Sequence, residues 1–531
     1  MGSPNQPWQQ QGPYGAQPPG YPPYQQPYQQ QGYPPQFGAP PPPLRKRGPW
    51  PWLVPLIVVA VAAAVVVPIV LTRGGGSAGT PTASGPATSA AKPWIVTAGQ
   101  TGVYPDGFGA WTNGANLITV NTSTVTAYQR GDGSKVWSLT PPTQGMSFCG
   151  ASRNVAGDRL AVAYGVQSQD DKSNQVCTNL GLVDLATGKF VWSEQYLQDS
   201  ASPPASAVMV IVGNDLFAGF NLSNLVSQID LTTGKTKTHD IMSDTDSADC
   251  SINDITATSS SVYYLATCQP GLPSDPNAPL DTAQFDAIRA ESADTGQQTA
   301  FGEITAQSAQ LPTGSTLGVE PGTFISASPM IVQTSADDAD SHTTGAFVGV
   351  DDALHVSWSI TGQLGDPNSL DTLSAGDSSA GYTGFGRAFV SNGVLLAETT
   401  YQNPNGLQNN KIVAVDAKTG QVRWRTGGPK LSLAAPVAVH GSTVLAVGMS
   451  RDYDPGSGRP PTVLAHVDLN TGALTSTTKF DLPVTGTNLS LASAQSFQNT
   501  WFVAADDRVY GVATGNGATT PPTQPEVFAI G

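Results

Sequence analysis

The side chains of this 531-residue chain that could carry chemistry are five histidines, four cysteines and several clustered carboxylates. The histidines do not form an HExxH motif or an i, i+4 pair, which disfavours zinc catalysis. The sequence contains no GxxxxGK[ST] phosphate loop, and its GxSxG match at 75–79 falls in a Gly/Ser-rich stretch with no strand before it, so the common hydrolase and nucleotide-binding classes are disfavoured. The histidines are His239, His342, His355, His440 and His466.

Two acidic clusters could bind calcium, because that ion prefers carboxylate oxygens. Neither cluster has the spacing of a complete calcium loop with its terminal Glu, so a solvated acidic loop is the favoured interpretation and no metal site is predicted. The clusters are Asp244, Asp246 and Asp249, and Asp337, Asp338 and Asp340. The tripeptide Arg130-Gly131-Asp132 spells an adhesion motif, but turn chemistry explains it equally well.

The charge balance excludes nucleic acid as a partner. The chain has 24 Lys+Arg against 39 Asp+Glu, a net charge of −15, and would repel a polyanion. The 57 Gly and 44 Pro residues also disfavour a mainly helical protein, since both break helices. We therefore expect an all-β fold rich in turns.

The first 93 residues differ from the rest of the chain because they contain no acidic residue. Residues 1–44 are almost entirely Pro, Gln, Gly and Tyr, and such a segment cannot bury enough apolar surface to fold. We expect a disordered tail there, with a PPxY-like match at Pro18–Tyr21 that this composition also produces by chance. Residues 45–51 form a basic segment through Arg45, Lys46 and Arg47.

Residues 52–72 predict one transmembrane helix. This stretch is uncharged and apolar, and its 21 residues span roughly 31 Å at about 1.5 Å per residue. The basic cluster before it places the N-terminus in the cytoplasm, and residues 73–93 then form a flexible Gly/Ser/Thr/Ala/Pro linker. A cleaved signal peptide is the competing interpretation, which the long preceding segment disfavours. Residues 94–531 are thus expected outside the cell.

A repeat recurs through residues 94–531. Each copy has an alternating apolar run, an Asp, a Gly four residues later and, in several copies, a Trp four residues after the Gly. Alternation buries one face of a strand, Asp bonds to backbone in a turn, and Gly supplies a positive φ. The unit is therefore a β-hairpin. The clearest copies contain Asp184, Gly188 and Trp192; Asp230 and Gly234; Asp416, Gly420 and Trp424; and Asp468 and Gly472.

This AxDxxTGxxxW pattern resembles the repeat of the pyrroloquinoline-quinone-like (PQQ-like) β-propellers, a family that includes quinoprotein alcohol dehydrogenases and an outer-membrane assembly lipoprotein. The resemblance implies a propeller over residues 94–531. Eight copies favour eight blades, with seven as the alternative. In the weaker copies Gln129, Ser292 and Gly511 replace the Asp. The last copy lacks an outer strand, which residues 94–97 could supply to close the ring.

The four cysteines are predicted to form two disulfides within blades. Cys149 and Cys250 occupy equivalent places at the start of two blades, and Cys177 and Cys268 each follow the second strand of the same blade. We therefore expect the pairs Cys149–Cys177 and Cys250–Cys268, among the three pairings that four cysteines allow. Disulfides persist outside the cell, in agreement with the expected topology.

The resemblance implies a fold and leaves the function open. Quinoprotein dehydrogenases have an adjacent Cys-Cys disulfide, a calcium site and a catalytic Asp, and none of these maps onto this sequence. We therefore expect no PQQ, with calcium as the remaining option, and a non-catalytic module that binds or scaffolds an envelope protein or polymer. Partner contacts are expected at long insertions such as 269–284 and 361–381. The alternatives are a PQQ- or calcium-dependent envelope enzyme, and a sensor that couples external binding to the cytoplasmic tail.

Overall fold

In the computed structural model the chain divides into two units, Met1–Gly85 and Pro86–Gly531. The described residues all belong to the second unit, so the predicted tail, transmembrane helix at 52–72 and linker lie outside them. Within the described ranges no helix is long and apolar enough to cross a membrane. The structure describes residues 93–97, 107–166, 176–196, 206–220, 225–241, 249–269, 285–310, 316–317, 322–337, 343–361, 371–373, 388–401, 411–426, 431–450, 462–480, 500–506, 508–513 and 525–530.

The described strands form eight antiparallel sheets, each an up-and-down meander that we call a blade. Blade 1 contains β2 (Gly107–Asn113), β3 (Asn116–Asn121), β4 (Val125–Gln129) and β5 (Lys135–Leu139); blade 2 contains β6 (Met146–Ala151), β7 (Arg159–Val166), β8 (Asn179–Asp184) and β9 (Lys189–Gln195). Blade 3 contains β10 (Ala207–Val212), β11 (Asp215–Phe220), β12 (Leu225–Asp230) and β13 (Thr236–Ile241); blade 4 contains β14 (Asp249–Ala257), β15 (Ser261–Gln269), β16 (Phe285–Ser292) and β17 (Gln298–Ile304).

In blades 5 and 6 two short strands share the first position. Blade 5 contains β18 (Thr316–Leu317), β19 (Thr323–Ala327), β20 (Met330–Asp337), β21 (Thr343–Val350) and β22 (Val356–Thr361); blade 6 contains β23 (Asp371–Leu373), β24 (Ala388–Ser391), β25 (Val394–Tyr401), β26 (Ile412–Asp416) and β27 (Val422–Arg425). Blade 7 contains β28 (Leu431–His440), β29 (Thr443–Ser450), β30 (Thr462–Asp468) and β31 (Leu474–Phe480). Blade 8 contains β32 (Thr500–Ala505), β33 (Arg508–Ala513), β34 (Pro525–Ile530) and β1 (Trp94–Thr97).

Inner strands of successive blades contact one another around a closed ring, with β25 rather than a first strand contacting β28 at the junction of blades 6 and 7, and β2 of blade 1 contacts β32 of blade 8. The fold is therefore an eight-bladed β-propeller, and the seven-bladed alternative is wrong. Strand β1 pairs antiparallel with β34, so residues 94–97 complete the last blade as predicted. The assignment of Gly511 to an Asp position is also wrong, because Gly511 lies in β33, the second strand of its blade.

The repeat residues form the turn between the third and fourth strands. In blade 3 the Gly234 amide donates to the Asp230 carbonyl at 2.8 Å, and the Thr233 amide and hydroxyl donate to the Asp230 carboxylate at 2.8 and 2.9 Å. These bonds lower the pKa of Asp230, with the Thr233 hydroxyl as the largest cause. Gly234 has a φ of 71°, which other residues rarely adopt. The turns at Asp184, Asp416 and Asp468 repeat this geometry.

Where a blade has the repeat Trp on its outer strand, this side chain joins the blade to the next one. Trp192, on the outer strand of blade 2, lies over Gly234 of blade 3 and donates from Nε1 to the Leu231 carbonyl at 2.7 Å. A Cβ added at Gly234 would lie 2.8 Å from the indole, so the glycine also makes room for the ring. Corresponding indoles of other blades cover the turn glycines of the blades that follow them: Trp94 on Gly133, Trp137 on Gly188, Trp358 on Gly420 and Trp424 on Gly472.

The two ends of the propeller differ in the length of their connections. At one end, which we call the tight-turn face, the strands are joined by two to seven residues. At the opposite end, the long-connection face, the joining segments include 270–284, 451–461 and 481–499. The predicted insertions 269–284 and 361–381 lie almost wholly outside the described residues, but the strands that flank them end at the long-connection face. Trp94 pairs with Ala529, which places the start of β1 at the tight-turn face.

Candidate functional site

The propeller axis is crossed by one buried ion pair. Arg153 follows the inner strand of blade 2, and its Nη1 donates to the Asp254 carboxylate of blade 4 at 2.7 Å. Its Nη2 donates to the Phe324 carbonyl of blade 5. The Asp254 side chain is 2% exposed and that of Arg153 is 16% exposed. One side chain thus connects three blades across the centre of the ring, which neither the repeat nor the charge pattern predicted.

The oxygens of Asp254 are occupied by donors from within the fold. Oδ2 accepts from Arg153, from the Thr323 hydroxyl at 2.7 Å and from the Phe324 amide at 2.7 Å. Oδ1 accepts from the Ile255 amide at 2.8 Å. A register shift in β14 between Ile252 and Asp254 accompanies this arrangement. Because burying a carboxylate is costly unless its oxygens are hydrogen-bonded, the four bonds indicate a structural role.

A second buried carboxylate, Asp286, lies between blades 4 and 5. Its Oδ1 accepts from the Thr267 hydroxyl of blade 4 at 3.0 Å and its Oδ2 from the Thr334 hydroxyl of blade 5 at 2.7 Å. The residue is completely buried. Burial raises the pKa of Asp286 to about 6, and the two hydroxyls only partly oppose this effect. The carboxyl group therefore changes charge in the mildly acidic range while joining two blades.

A third buried cluster lies on the other side of blade 4. The Arg289 guanidinium is 1% exposed and contacts the carboxylates of Glu291, at 2.9 Å, and Asp240 of blade 3. Burial raises the pKa of Glu291 to about 7, the Arg289 charge opposes this rise and the Asp240 charge adds to it. Burial also raises the pKa of the Tyr264 phenol, next to Glu291. Blade 4 thus has titratable groups buried on both of its faces.

The indole contact is replaced at both junctions of blade 4. Between blades 3 and 4, Gln228 lies next to Gly296 and donates to the Ala293 carbonyl at 3.4 Å, the backbone position that an indole nitrogen contacts elsewhere. Between blades 4 and 5, the strand register puts Ala300 at the Trp position. There Leu354, with a φ of 63°, packs against Gly302 of blade 4.

The predicted cystines are both present. Cys250 and Cys268 are directly opposed in β14 and β15, with their Cα atoms 4.0 Å apart. The Cα atoms of Cys149 and Cys177 are 6.0 Å apart. Cys268 lies within the second strand of its blade, whereas Cys177 follows the second strand as predicted. No free cysteine remains in the described chain, so the cysteines are structural.

The other sequence candidates do not meet in one site. Of the acidic clusters, Asp249 and Asp337 lie at strand ends, and the remaining members are outside the described residues. Arg130 forms an ion pair with Asp506 at 3.2 Å, and Asp132 accepts from the Ser134 amide at 2.9 Å, so the tripeptide belongs to a turn. Ser227 lies 2.8 Å from His239 Nδ1, but Ser227 is buried and out of reach of a substrate.

The described residues do not fit the quinone and calcium site that the family implies. The two cystines join residues 28 and 18 positions apart, so neither is the adjacent pair of the quinoproteins. Asp254 and Asp286 direct their oxygens to donors of the fold itself. Among the residues that the structure describes, no three His, Cys, Asp or Glu side chains form a group that could hold a metal ion. No chemical step through a quinone follows from this arrangement.

An eight-bladed ring with indole contacts between blades defines a repeat propeller, and the family comparison agrees. Residues 87–268 match the family model described as outer membrane protein assembly factor BamB. The match covers 182 of the 531 residues, and over that segment the chain is similar to the PQQ-like β-propeller repeat proteins.

The solved structures that resemble the chain are distant in sequence. BamB from Moraxella catarrhalis is 12% identical with a TM-score of 0.42, covering 79% of this chain and 95% of that one. Quinohemoprotein alcohol dehydrogenase from Comamonas testosteroni is 12% identical with a TM-score of 0.46, covering 83% of this chain and 76% of that one. No curated protein matches the sequence.

Proposed function

We propose that the protein is a membrane-anchored propeller outside the cell, which binds or scaffolds an envelope protein or polymer without catalysing a reaction. The axial bridge from Arg153 to Asp254 carries the proposal. The centre of the ring is where a propeller could hold a cofactor, and here its charged groups are used to join blades. Binding by the rim of the ring is then the function that the fold supports best.

The long-connection face is the proposed partner surface. Longer connections supply variable binding residues, whereas most of the tight turns between third and fourth strands are covered by the indole contacts of the repeat. The chain enters the propeller at Trp94, on the tight-turn face. The long-connection face lies at the opposite end of the ring from this entry point. The cystines agree with an oxidising compartment.

Site-specific photocrosslinking in intact cells tests this proposal. A photoreactive residue replaces Val166, which is 52% exposed at the end of β7 on the long-connection face. The matched control replaces Ser260, which is exposed in the β14–β15 turn on the tight-turn face. We expect an envelope protein or polymer to be crosslinked at residue 166 and not at residue 260. Equal recovery at both positions, or none beyond an anchor lacking residues 94–531, would contradict the proposal.

Cofactor binding provides the second measurement. A quinone enzyme would bind PQQ in the presence of calcium and oxidise an alcohol with an electron acceptor. We expect neither binding nor turnover from the purified full-length protein. Saturable PQQ binding would support the enzyme alternative and would indicate a cofactor site at the centre of the ring.

A further inference from the structure

A cleft of about 290 Å³ opens on the tight-turn face around blade 5. It is separate from the axial network and from the proposed partner face. Its floor is apolar, with Met330, Val350 and Leu354 each buried, and the aromatic side chains of Tyr263 and Trp358 form part of its lining. A volume near 300 Å³ is at the small end of ligand sites.

The rim of the cleft has charges of both signs. Asp351 and Asp352 belong to the β21–β22 turn of blade 5, and Lys418 to the β26–β27 turn of blade 6. One oxygen of Asp351 accepts the Ala353 and His355 amides at 3.0 and 2.8 Å, and the other lies 3.8 Å from the His355 ring. Asp352 and Lys418 are exposed at the edges of their turns. The cleft therefore combines an apolar floor with an acidic and a basic side.

We propose that this cleft binds a small zwitterion with an apolar body, of the class of the apolar α-amino acids. An ammonium group would meet Asp351 and Asp352, a carboxylate would meet Lys418, and the apolar side chain would lie over Met330 and Leu354. A simple cation would leave the Lys418 ammonium without a partner beside it, and a simple anion would face two carboxylates. A zwitterion is the class that satisfies both sides.

The local sequence explains why the cleft is found here. The junction of blades 4 and 5 has Ala300 at the Trp position, so no indole extends from blade 4 over the turn of blade 5. The turn of blade 5 is also one residue shorter than the turn of blade 6. In blade 5 the Leu354 amide donates at 3.0 Å to the carbonyl of Asp351, three residues earlier, whereas in blade 6 the Gly420 amide donates to the carbonyl of Asp416, four residues earlier. These two departures from the repeat leave the blade 5 turn uncovered.

Ligand-observed NMR titration of the full-length protein tests the site, with L-phenylalanine as the probe. Phenethylamine lacks its carboxylate and hydrocinnamate lacks its ammonium. We expect saturable phenylalanine binding that weakens roughly five- to tenfold in Lys418→Gln and in Asp352→Asn, because each removes one charge-assisted contact. Lys189→Gln and Asp294→Asn, exposed in the turns or outer strands of other blades, should bind as the unmodified protein does.

The two truncated probes decide the assignment. Both should bind more weakly than phenylalanine, and Lys418→Gln should not weaken phenethylamine. The proposal is overturned if phenylalanine does not bind at millimolar concentration, if the cleft variants bind it unchanged, or if phenethylamine binds as tightly as phenylalanine. All four substitutions lie at exposed positions, and matching thermal melts show whether the variants remain folded. The crosslinking experiment above addresses the other face, so the two proposals fail independently.

Discussion

Replacement of Asp286 by Asn should stabilise the protein at alkaline pH and have little effect in acid. The carboxyl group is fully buried, and its pKa is raised to about 6 from an ordinary value of 3.8. A raised pKa means that the folded state favours the protonated form. The stability contribution is therefore fully present below about pH 4 and is lost as the pH rises through about 6. Asn resembles the protonated acid, and the Thr267 and Thr334 hydroxyls can either donate to it or accept from it.

The size of the effect follows from the shift. About two pKa units at ~1.4 kcal/mol each give about 3 kcal/mol at pH 8. A folded region of 438 residues, 531 less the first 93, has an unfolding entropy of about 0.9 kcal/mol per kelvin, so the melting temperature should rise by ~3 °C.

Thermal melts of the full-length protein and of Asp286→Asn at pH 4 and pH 8 provide the assay. We expect the two melting temperatures to be similar at pH 4 and to separate at pH 8, with the variant higher. The exposed Asp294→Asn serves as control and should not respond to pH in this way. Glu291 also titrates in this range, but it is present in all three proteins and its effect cancels. A variant that is less stable than the unmodified protein at pH 8 would refute the reasoning.

Three further perturbations test the packing of the ring. In Gly234→Ala the new side chain must adopt a φ of 71° and meet the Trp192 indole, whereas position 213 has a φ of 58° with open space beside it. Chemical denaturation should therefore show a larger loss of unfolding free energy for Gly234→Ala than the ~1 kcal/mol expected for Gly213→Ala. Arg153→Met leaves the Asp254 carboxylate buried without its cation and should cost about 3–5 kcal/mol in urea unfolding, and Asp254→Asn in the same chain should recover part of that loss. Replacement of both Cys250 and Cys268 by Ser opens a loop of 18 residues and should lower the unfolding free energy by about 3 kcal/mol. A double variant as stable as the unmodified protein would show that this disulfide does not stabilise the fold.

The sequence determined the features that depend on local spacing. A hairpin repeat with alternating apolar residues, an Asp-Thr-Gly turn and a following Trp is enough to predict blades, because strand alternation and turn geometry involve residues only a few positions apart. The pairing of Cys250 with Cys268 and the closing role of residues 94–97 followed from the same spacing. The last blade was misread because its third strand, β34, and its fourth strand, β1, are far apart in the sequence, so no repeat turn connects them.

Only the tertiary structure decided which side chains meet across blades. Arg153 and Asp254 are 101 residues apart, and their contact depends on the diameter of a closed eight-membered ring. Gln228 replaces an indole at one junction and Leu354 fills another, although neither occupies the Trp position of the repeat. The buried state of Asp286 likewise comes from Thr334 on the neighbouring blade. The closure of the ring sets the distances between side chains on different blades. The pattern within a single strand contains no information about ring closure, so the sequence could not predict the charge network or the cleft.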